Sequence, residues 1–167
     1  AKLPYAGKKL LFIEAYHAGY AWSDGIVQGV NDKVAGTGIE LKMIRMDTKL
    51  NPSVEFAQQA ALKVKAEIDT WKPDVVIASD DNPFKYVLMP YYKNSAIPFV
   101  YSGVNWNTQA YGTPYTNAAG MVEVALTPQV LDRLKTYAKG PRIGYISGDT
   151  ETERKTMGFY KGRFNIK

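Results

Sequence analysis

Short apolar segments alternate with longer amphipathic segments along most of this 167-residue chain, and this alternation limits the folds that it can adopt. Apolar segments of strand length are Leu10–Ala15, Ile39–Met46, Asp74–Ala78, Pro98–Tyr101, Met121–Val124 and Arg142–Ser147. Helices of the length found between them require parallel strands joined by right-handed crossovers. The sequence therefore predicts an α/β fold, with a doubly wound and mostly parallel sheet of about five to six strands in the flavodoxin-like order 2-1-3-4-5.

The clearest helical segment follows Asn51 and Pro52, which fit the N-cap and the first helical position. Its apolar residues recur every three or four positions and define one buried stripe: Ala57, Ala60, Ala61, Val64, Ile68 and Trp71. In the helix before it, we expect Ser23 to be the N-cap, with Ile26, Val27, Val30 and Val34 on one face.

The later helices carry similar signals. Asn82 and Pro83 repeat the cap-then-proline pattern at the start of the third helix, and Pro90 should interrupt its regular hydrogen bonding. Further helices are expected over Thr127–Lys139 and from about Thr150 onward.

Polar and aromatic residues gather after the first four predicted strands. The carboxyl ends of parallel strands meet at one edge of a sheet, which is where open α/β sheets bind ligands. The residues concerned are Tyr16, His17, Tyr20, Trp22, Ser23, Asp24, Asp47, Thr48, Ser79–Asn82, Ser102, Asn105, Trp106 and Asn107. Amides, hydroxyls, carboxylates and rings on one rim are typical of a pocket for a small molecule.

Enzymatic functions find little support in the residue types. His17 is the only histidine, and no Gly-x-Ser-x-Gly pattern surrounds Ser79 or Ser102, which argues against a hydrolase triad. The absence of cysteine excludes disulfides, thiolate zinc sites and a cysteine nucleophile. No glycine-rich phosphate-binding loop is present. We expect a protein that is not an enzyme, with no catalytic residue and no cofactor.

The acids near the third strand leave one alternative open. Asp47, Asp80 and Asp81 could hold Mg²⁺ in a magnesium-dependent enzyme or a receiver-like domain. A receiver, however, has paired acids after its first strand, where this chain has Tyr16 and His17. Because an acid or amide is also needed to cap the following helix, we expect no metal site.

The charge distribution and hydropathy bear on partners and location. The net charge is +5, but the basic residues are scattered, so we expect no nucleic-acid partner. No apolar run is long enough to span a bilayer, and the first residues lack the apolar core of a signal peptide. The mature form of a secreted protein would have the same features.

Six motifs, in order, resemble those of the ABC-transporter substrate-binding family with the type I periplasmic binding protein fold. They are YHAGYAWSDG (Tyr16–Gly25), MDTKLN (Met46–Asn51), KPDVVIASDDNPFKYV (Lys72–Val87), YSGVNW (Tyr101–Trp106), GMVEV (Gly120–Val124) and RIGYISGDT (Arg142–Thr150). The resemblance implies a bacterial, periplasmic or otherwise extracytoplasmic solute-binding protein. Its partner would be the membrane permease of an ABC transporter; in the alternative, the domain senses a ligand for a membrane signalling protein.

The resemblance also implies two lobes that close on a solute. The first lobe would span residues 1–120, and residues 121–167 would form the crossover and the incomplete beginning of the second lobe. We expect this tail to pack on the first lobe, adding a strand to its sheet, or to bury itself in a homodimer, because its apolar residues would otherwise be exposed.

The expected ligand is a small molecule, such as an amino acid or a similar zwitterion. Aromatic rings would stack on it, carboxylates would accept hydrogen bonds from an amine or hydroxyl, and helix N-termini near Ser23 and Asn82 would face an anionic group. The predicted ligand-binding residues are Tyr16, His17, Tyr20, Trp22, Ser23, Asp24, Asp47, Ser79, Asp80, Asp81, Asn105, Trp106 and Glu123.

Overall fold

The computed structural model describes residues 3–164, which contain one sheet of five parallel strands. The strands are β1 (Lys9–Glu14), β2 (Glu40–Arg45), β3 (Val75–Ser79), β4 (Phe99–Asn105) and β5 (Ala118–Glu123). Their order is β2-β1-β3-β4-β5, and each neighbouring pair is parallel. The predicted α/β class and the flavodoxin-like strand order are confirmed.

The helices between and after the strands are α1 (Ala21–Val34), α2 (Val54–Trp71), α3, α4 (Thr127–Lys135) and α5 (Glu151–Phe164). Helix α3 begins as one α-helical turn, Asp81–Pro83, and continues as a π-helical segment, Phe84–Tyr92. Pro90 lies inside that segment, so the expected loss of regular α-helical bonding is confirmed. A short 3₁₀ helix, Gln109–Tyr111, lies between β4 and β5.

The main core lies on the face of the sheet that α2 and α3 cover. The predicted stripe of α2 packs there, with Ala57, Ala61, Val64 and Ile68 buried and Ala60 and Trp71 packed beside them. The crossover from β1 to β2 runs in the opposite direction to the crossover from β2 to β3, so right-handedness places α1 on the other face. This core fixes the three central strands, from whose ends the loops of the candidate site emerge.

Two predicted helix caps are wrong. Helix α1 begins at Ala21, because Tyr20 is extended and its carbonyl already accepts from Asp24 N at 2.9 Å; Ser23 therefore lies within the first turn. Helix α2 is capped by Ser53, whose Oγ accepts from a backbone N–H three residues later at 3.1 Å. The side-chain amide of Asn51 turns back instead and donates to the carbonyl of Asp47.

The C-terminal region differs most from expectation. Residues 142–147 form no strand, so the predicted sixth strand and its addition to the sheet are wrong, and Ile143 and Ile146 are exposed. A strand needs a neighbour to complete its backbone hydrogen bonds, and its local sequence does not supply one. The last helix does form, because Thr150 and Glu153 bond each other's backbone N–H groups in a capping box.

Helix α5 packs against the carboxyl edge of the sheet, which agrees with the expectation that the tail folds back onto the rest of the chain. Helix α4 is shorter than predicted and ends at Lys135. Within residues 3–164, none of the helices is both long and apolar enough to cross a membrane.

Candidate functional site

The carboxyl ends of β1, β3 and β4 bring most of the predicted residues to one edge of the sheet. The β1–α1 loop supplies aromatic rings, the β3–α3 junction supplies Asp80 and Asp81, and the segment after β4 supplies Trp106. Glu123 ends β5 at the same edge, where its carbonyl accepts from Trp106 N at 2.8 Å. The clustering that the sequence predicts is thus present in the fold.

The rings of the β1–α1 loop form one cluster. Tyr16 is buried and makes edge-to-face contacts with Tyr20, at 5.2 Å between centroids, and with Trp22, at 6.1 Å. His17 lies 6.0 Å from Tyr20, and its buried Nδ1 has no hydrogen-bond partner among the described residues. Lys49 places its ammonium 5.1 Å from the Tyr16 ring and 4.9 Å from the Tyr20 ring. The cluster is an aromatic wall with a cation beside it.

Asp80 is the carboxylate whose ionisation this site perturbs most. It is buried, and it caps α3 by accepting from Asp81 N, which corrects the prediction that Asn82 is the cap. Its φ of +79° is in the left-handed region, so the cap is held in an unusual conformation. Desolvation, with the charges of Asp81 and Glu123 adding to it, raises the pKa of Asp80 to about 7, although the Tyr16 hydroxyl favours the charged form.

Asp81 is buried and already bonded. Its Oδ2 accepts from Asn105 N at 3.1 Å and Asn105 Nδ2 at 2.7 Å, and its Oδ1 accepts from the Tyr111 hydroxyl at 2.5 Å and Lys155 Nζ at 2.6 Å. Burial and the adjacent Asp81 charge raise the pKa of Tyr111, so this hydroxyl remains a donor. The two adjacent acids therefore differ, since Asp81 is saturated by donors from the chain and Asp80 is not.

Other predicted residues have structural partners. Asn82 Nδ2 donates to Thr48 Oγ1 at 2.7 Å, tying the end of β2 to the start of α3. Asp24 accepts from Gly19 N at 3.0 Å and closes the β1–α1 loop. Asp47 has a φ of +53° and supports the following turn through its backbone carbonyl. Among residues 3–164, no group of His, Cys, Asp or Glu side chains is arranged to hold a metal ion.

A polar row crosses the sheet just before these loops. Glu14 pairs with Ser79 in the β1–β3 register, and Ser79 pairs with Ser102 in the β3–β4 register. Paired residues of a parallel sheet share a face. Glu14 Oε2 accepts from Arg45 Nε at 2.7 Å, but Glu14 Oε1, Ser79 Oγ and Ser102 Oγ are buried without partners in the described residues, as is Ser23 Oγ in α1. Such groups are costly in a fold, and they concentrate under the candidate site.

Helix α5 covers part of the edge. Its first residues and α3 enclose a cavity of about 250 Å³, lined by Asp81, Lys85, Tyr111, Glu151 and Lys155 among others. Lys85 and Glu151, both in its lining, form an ion pair, and the Tyr86 hydroxyl donates to Glu151. The cavity approaches the size of small-ligand pockets and has two cations and two anions in its wall.

Sequence reasoning missed four residues of this edge: Glu14, Lys49, Tyr111 and Lys155. Glu14 ends β1 directly after four apolar residues, and a charged residue at the buried end of a strand is a signal that could have been used. Lys155 lies 74 positions after Asp81, and nothing in the local sequence predicts that pairing.

Comparisons with known proteins place the fold. No protein-family model matches the chain, and no curated protein matches it. Among solved structures, it is similar to the ligand-free, open structure of CD0873, a substrate binding protein with adhesive properties from Clostridium difficile, with a TM-score of 0.59 and 19% identity. The match covers 96% of this chain and 55% of that one. The chain thus has the fold found in a substrate-binding protein and spans about half the length of that relative.

Proposed function

We propose that this chain is part of an extracytoplasmic solute-binding protein that delivers a small molecule to the permease of an ABC transporter. The observation that carries the proposal is the partly unsatisfied polar edge. At this edge, Ser79 Oγ, Ser102 Oγ and His17 Nδ1 are buried without hydrogen-bond partners among residues 3–164. Polar atoms left open at the carboxyl ends of parallel strands are what a ligand at this edge would satisfy.

The same edge supports a zwitterionic solute. Asp80 can accept from an ammonium or hydroxyl group, and Lys49, which forms no ion pair within residues 3–164, can bind a carboxylate. Both adjoin Tyr16, whose hydroxyl interacts with Asp80 and whose ring contacts the Lys49 ammonium. The rings of Tyr16 and Tyr20 would then pack against the apolar part of the solute.

In this proposal, the lobe built on the sheet runs through the end of β5 at Glu123, three residues beyond the expected boundary at residue 120, and α5 belongs to the start of a second lobe that faces it. The contacts of α5 with Asp81 and Trp106 resemble the closure of one wall on another. The fold that this chain shares with a substrate-binding protein supports a role in solute binding.

A thermal-shift panel tests the proposal. The 167-residue chain is heated with free amino acids, their N-acetyl derivatives, their methyl esters, sugars, nucleosides and organic acids. We expect saturable stabilisation by a free amino acid that is lost with the N-acetyl form, which lacks the ammonium, and with the ester, which lacks the carboxylate.

Substitutions test which residues the thermal stabilisation depends on. Asp80→Asn and Lys49→Met should each abolish the shift, whereas Lys63→Met, which removes an exposed lysine of α2, should not. Stabilisation by a sugar alone would contradict the zwitterion, and the absence of any stabilising solute would contradict solute binding itself.

A further inference from the structure

The ammonium group of Lys155 lies in a nearly complete cation-binding cage. Its Nζ is 2.6 Å from Asp81 Oδ1, 3.1 Å from the carbonyl oxygen of Asn107 and 4.6 Å from the ring centroid of Tyr111. A carboxylate, a carbonyl and an aromatic face are the groups that bind a primary ammonium. Lys155 comes from α5, whereas the other three come from the segments that follow β3 and β4.

Asn105 and Tyr111 hold the Asp81 carboxylate in place by hydrogen bonds that do not involve Lys155. Asn105 holds Asp81 Oδ2 through its backbone and side-chain nitrogens, and the Tyr111 hydroxyl holds Oδ1. These bonds fix both the carboxylate and the ring that face the ammonium. Asp81 is only 3% exposed with α5 in place, and these three donors are neutral, so the cation hydrogen-bonded to this buried carboxylate is Lys155. If the Lys155 ammonium is removed while α5 stays in position, the carboxylate loses that partner, and another cation at the same place would restore the pairing.

Lys155 is suited to be an occupant that can leave. It reaches the cage from α5, whose other contacts with the sheet edge include the rings of Phe159 and Tyr160 against Trp106, the hydrogen bond from Trp106 to Thr156, and the contacts of Glu151. The ammonium itself is largely shielded from solvent, with the lysine side chain 19% exposed.

We propose that Asp81, the Asn107 carbonyl and the Tyr111 ring form a binding site for a primary ammonium group, and that Lys155 occupies this site as a tethered competitor. An amine that enters the site must displace Lys155 and thereby loosen α5 from the sheet edge. The site is separate from Asp80, to which the function proposed above assigns the ammonium of a zwitterionic solute, so an amine bound here, and not that ammonium, would be coupled to the position of α5.

Chemical rescue tests the site. Lys155→Ala should melt below the unmodified protein, and ethylammonium chloride should raise its Tm by roughly 2 to 5 °C once its concentration exceeds Kd about tenfold. The unmodified protein and Lys161→Ala, which removes an exposed lysine of the same helix, should shift no more with ethylammonium than with sodium or tetramethylammonium chloride at equal ionic strength. Adding Asp81→Asn to Lys155→Ala should abolish the rescue.

A second variant covers the case in which Lys155→Ala does not fold. Lys155→Met keeps an apolar stem without the ammonium, and ammonium chloride is the probe small enough for the space that remains. Rescue that is absent from both variants, or unchanged by Asp81→Asn, would overturn the proposal. Because these probes are not candidate solutes, failure here together with amino-acid binding in the panel would reject only the ammonium site.

Discussion

The indole of Trp106 stacks on the ring of Phe159, with centroids 4.1 Å apart and an angle of 17° between the planes. Its Nε1 also donates to Thr156 Oγ1 at 3.2 Å. Trp106 follows β4, and both partners lie on α5. The ring that the sequence assigns to a solute is thus packed, in this structure, against a helix of the same chain, and this contact anchors α5 to the sheet edge.

Replacing Phe159 with alanine should loosen that anchor. We expect a loss of about 1 to 3 kcal/mol in the free energy of unfolding, because an aromatic pair and its buried area are removed. Trp106 should become more exposed, which would shift its fluorescence emission to longer wavelength; Trp106→Phe identifies its signal among the three tryptophans. Tyr137→Ala, at a side chain 71% exposed, is the control. Unchanged emission in Phe159→Ala would contradict the contact.

Asp80→Asn should make the protein more stable at high pH. The pKa of Asp80 is raised to about 7 in the folded state, while an unfolded aspartate has a pKa of about 4, so the wild-type protein loses stability as the pH rises between these values. Asparagine keeps the cap acceptor without the charge. We expect a gain of at least about 1 kcal/mol at pH 8, since one pKa unit corresponds to about 1.4 kcal/mol, and little gain at pH 4.

Urea unfolding at the two pH values measures this difference, and comparison with the wild type cancels the other titrating groups. Asp132→Asn, at an exposed position of α4, is the control. A gain for Asp80→Asn that is equal at pH 4 and pH 8 would show that the Asp80 carboxylate is not perturbed as described.

Ser79→Ala should leave the free energy of unfolding unchanged or raise it by up to about 1 kcal/mol. The Ser79 hydroxyl is buried without a partner in the described residues, so its removal ends a desolvation cost without breaking a hydrogen bond. Ser95→Ala is the matched control, because Ser95 Oγ bonds to Ile97 N and to Asn117 Nδ2, and its loss should destabilise by about 1 kcal/mol. Equal losses in urea unfolding would mean that Ser79 also has a partner.

Ser53→Ala tests the reassigned cap of α2. Losing the acceptor for Phe56 N should cost about 1 kcal/mol of unfolding free energy. Asn51→Ala should cost much less, because the Asn51 side chain makes only a 3.3 Å bond at an exposed turn. If thermal or urea unfolding ranks the two variants in the opposite order, the cap is at Asn51, as the sequence suggests.

The strand order could be predicted from the sequence because it depends on patterns that extend over whole elements. The apolar stripe of α2 and the apolar strands on either side of it determine which faces are buried, and right-handed crossovers then fix the sheet. The segment at residues 142–147 has a similar local pattern but forms no strand. Pairing depends on a neighbouring strand, which a local pattern does not contain.

The sequence predicts where the candidate site lies in the fold, but it does not predict which side chains contact each other there. Strand ends place Asp80 and Asp81 at the edge, yet their different environments follow from long-range contacts. The Asp80 side chain accepts from Asp81 N, so Asp80, rather than Asn82, is the cap of α3. Lys155 and Tyr111 saturate Asp81 from positions that are distant in sequence. These relationships arise only when the chain has folded.

The most direct test of solute binding is an NMR titration of the isotope-labelled chain with the amino acid that stabilises it best. We expect saturable shifts of the backbone amides of Tyr16, Asp80 and Ser102 at the carboxyl edge. The opposite edge provides an internal reference, because a cavity of about 450 Å³ lies there beside Lys8 and Asp74. Shifts confined to the Lys8 and Asp74 region, or no saturable shift at either edge, would contradict solute binding at the carboxyl edge of the sheet.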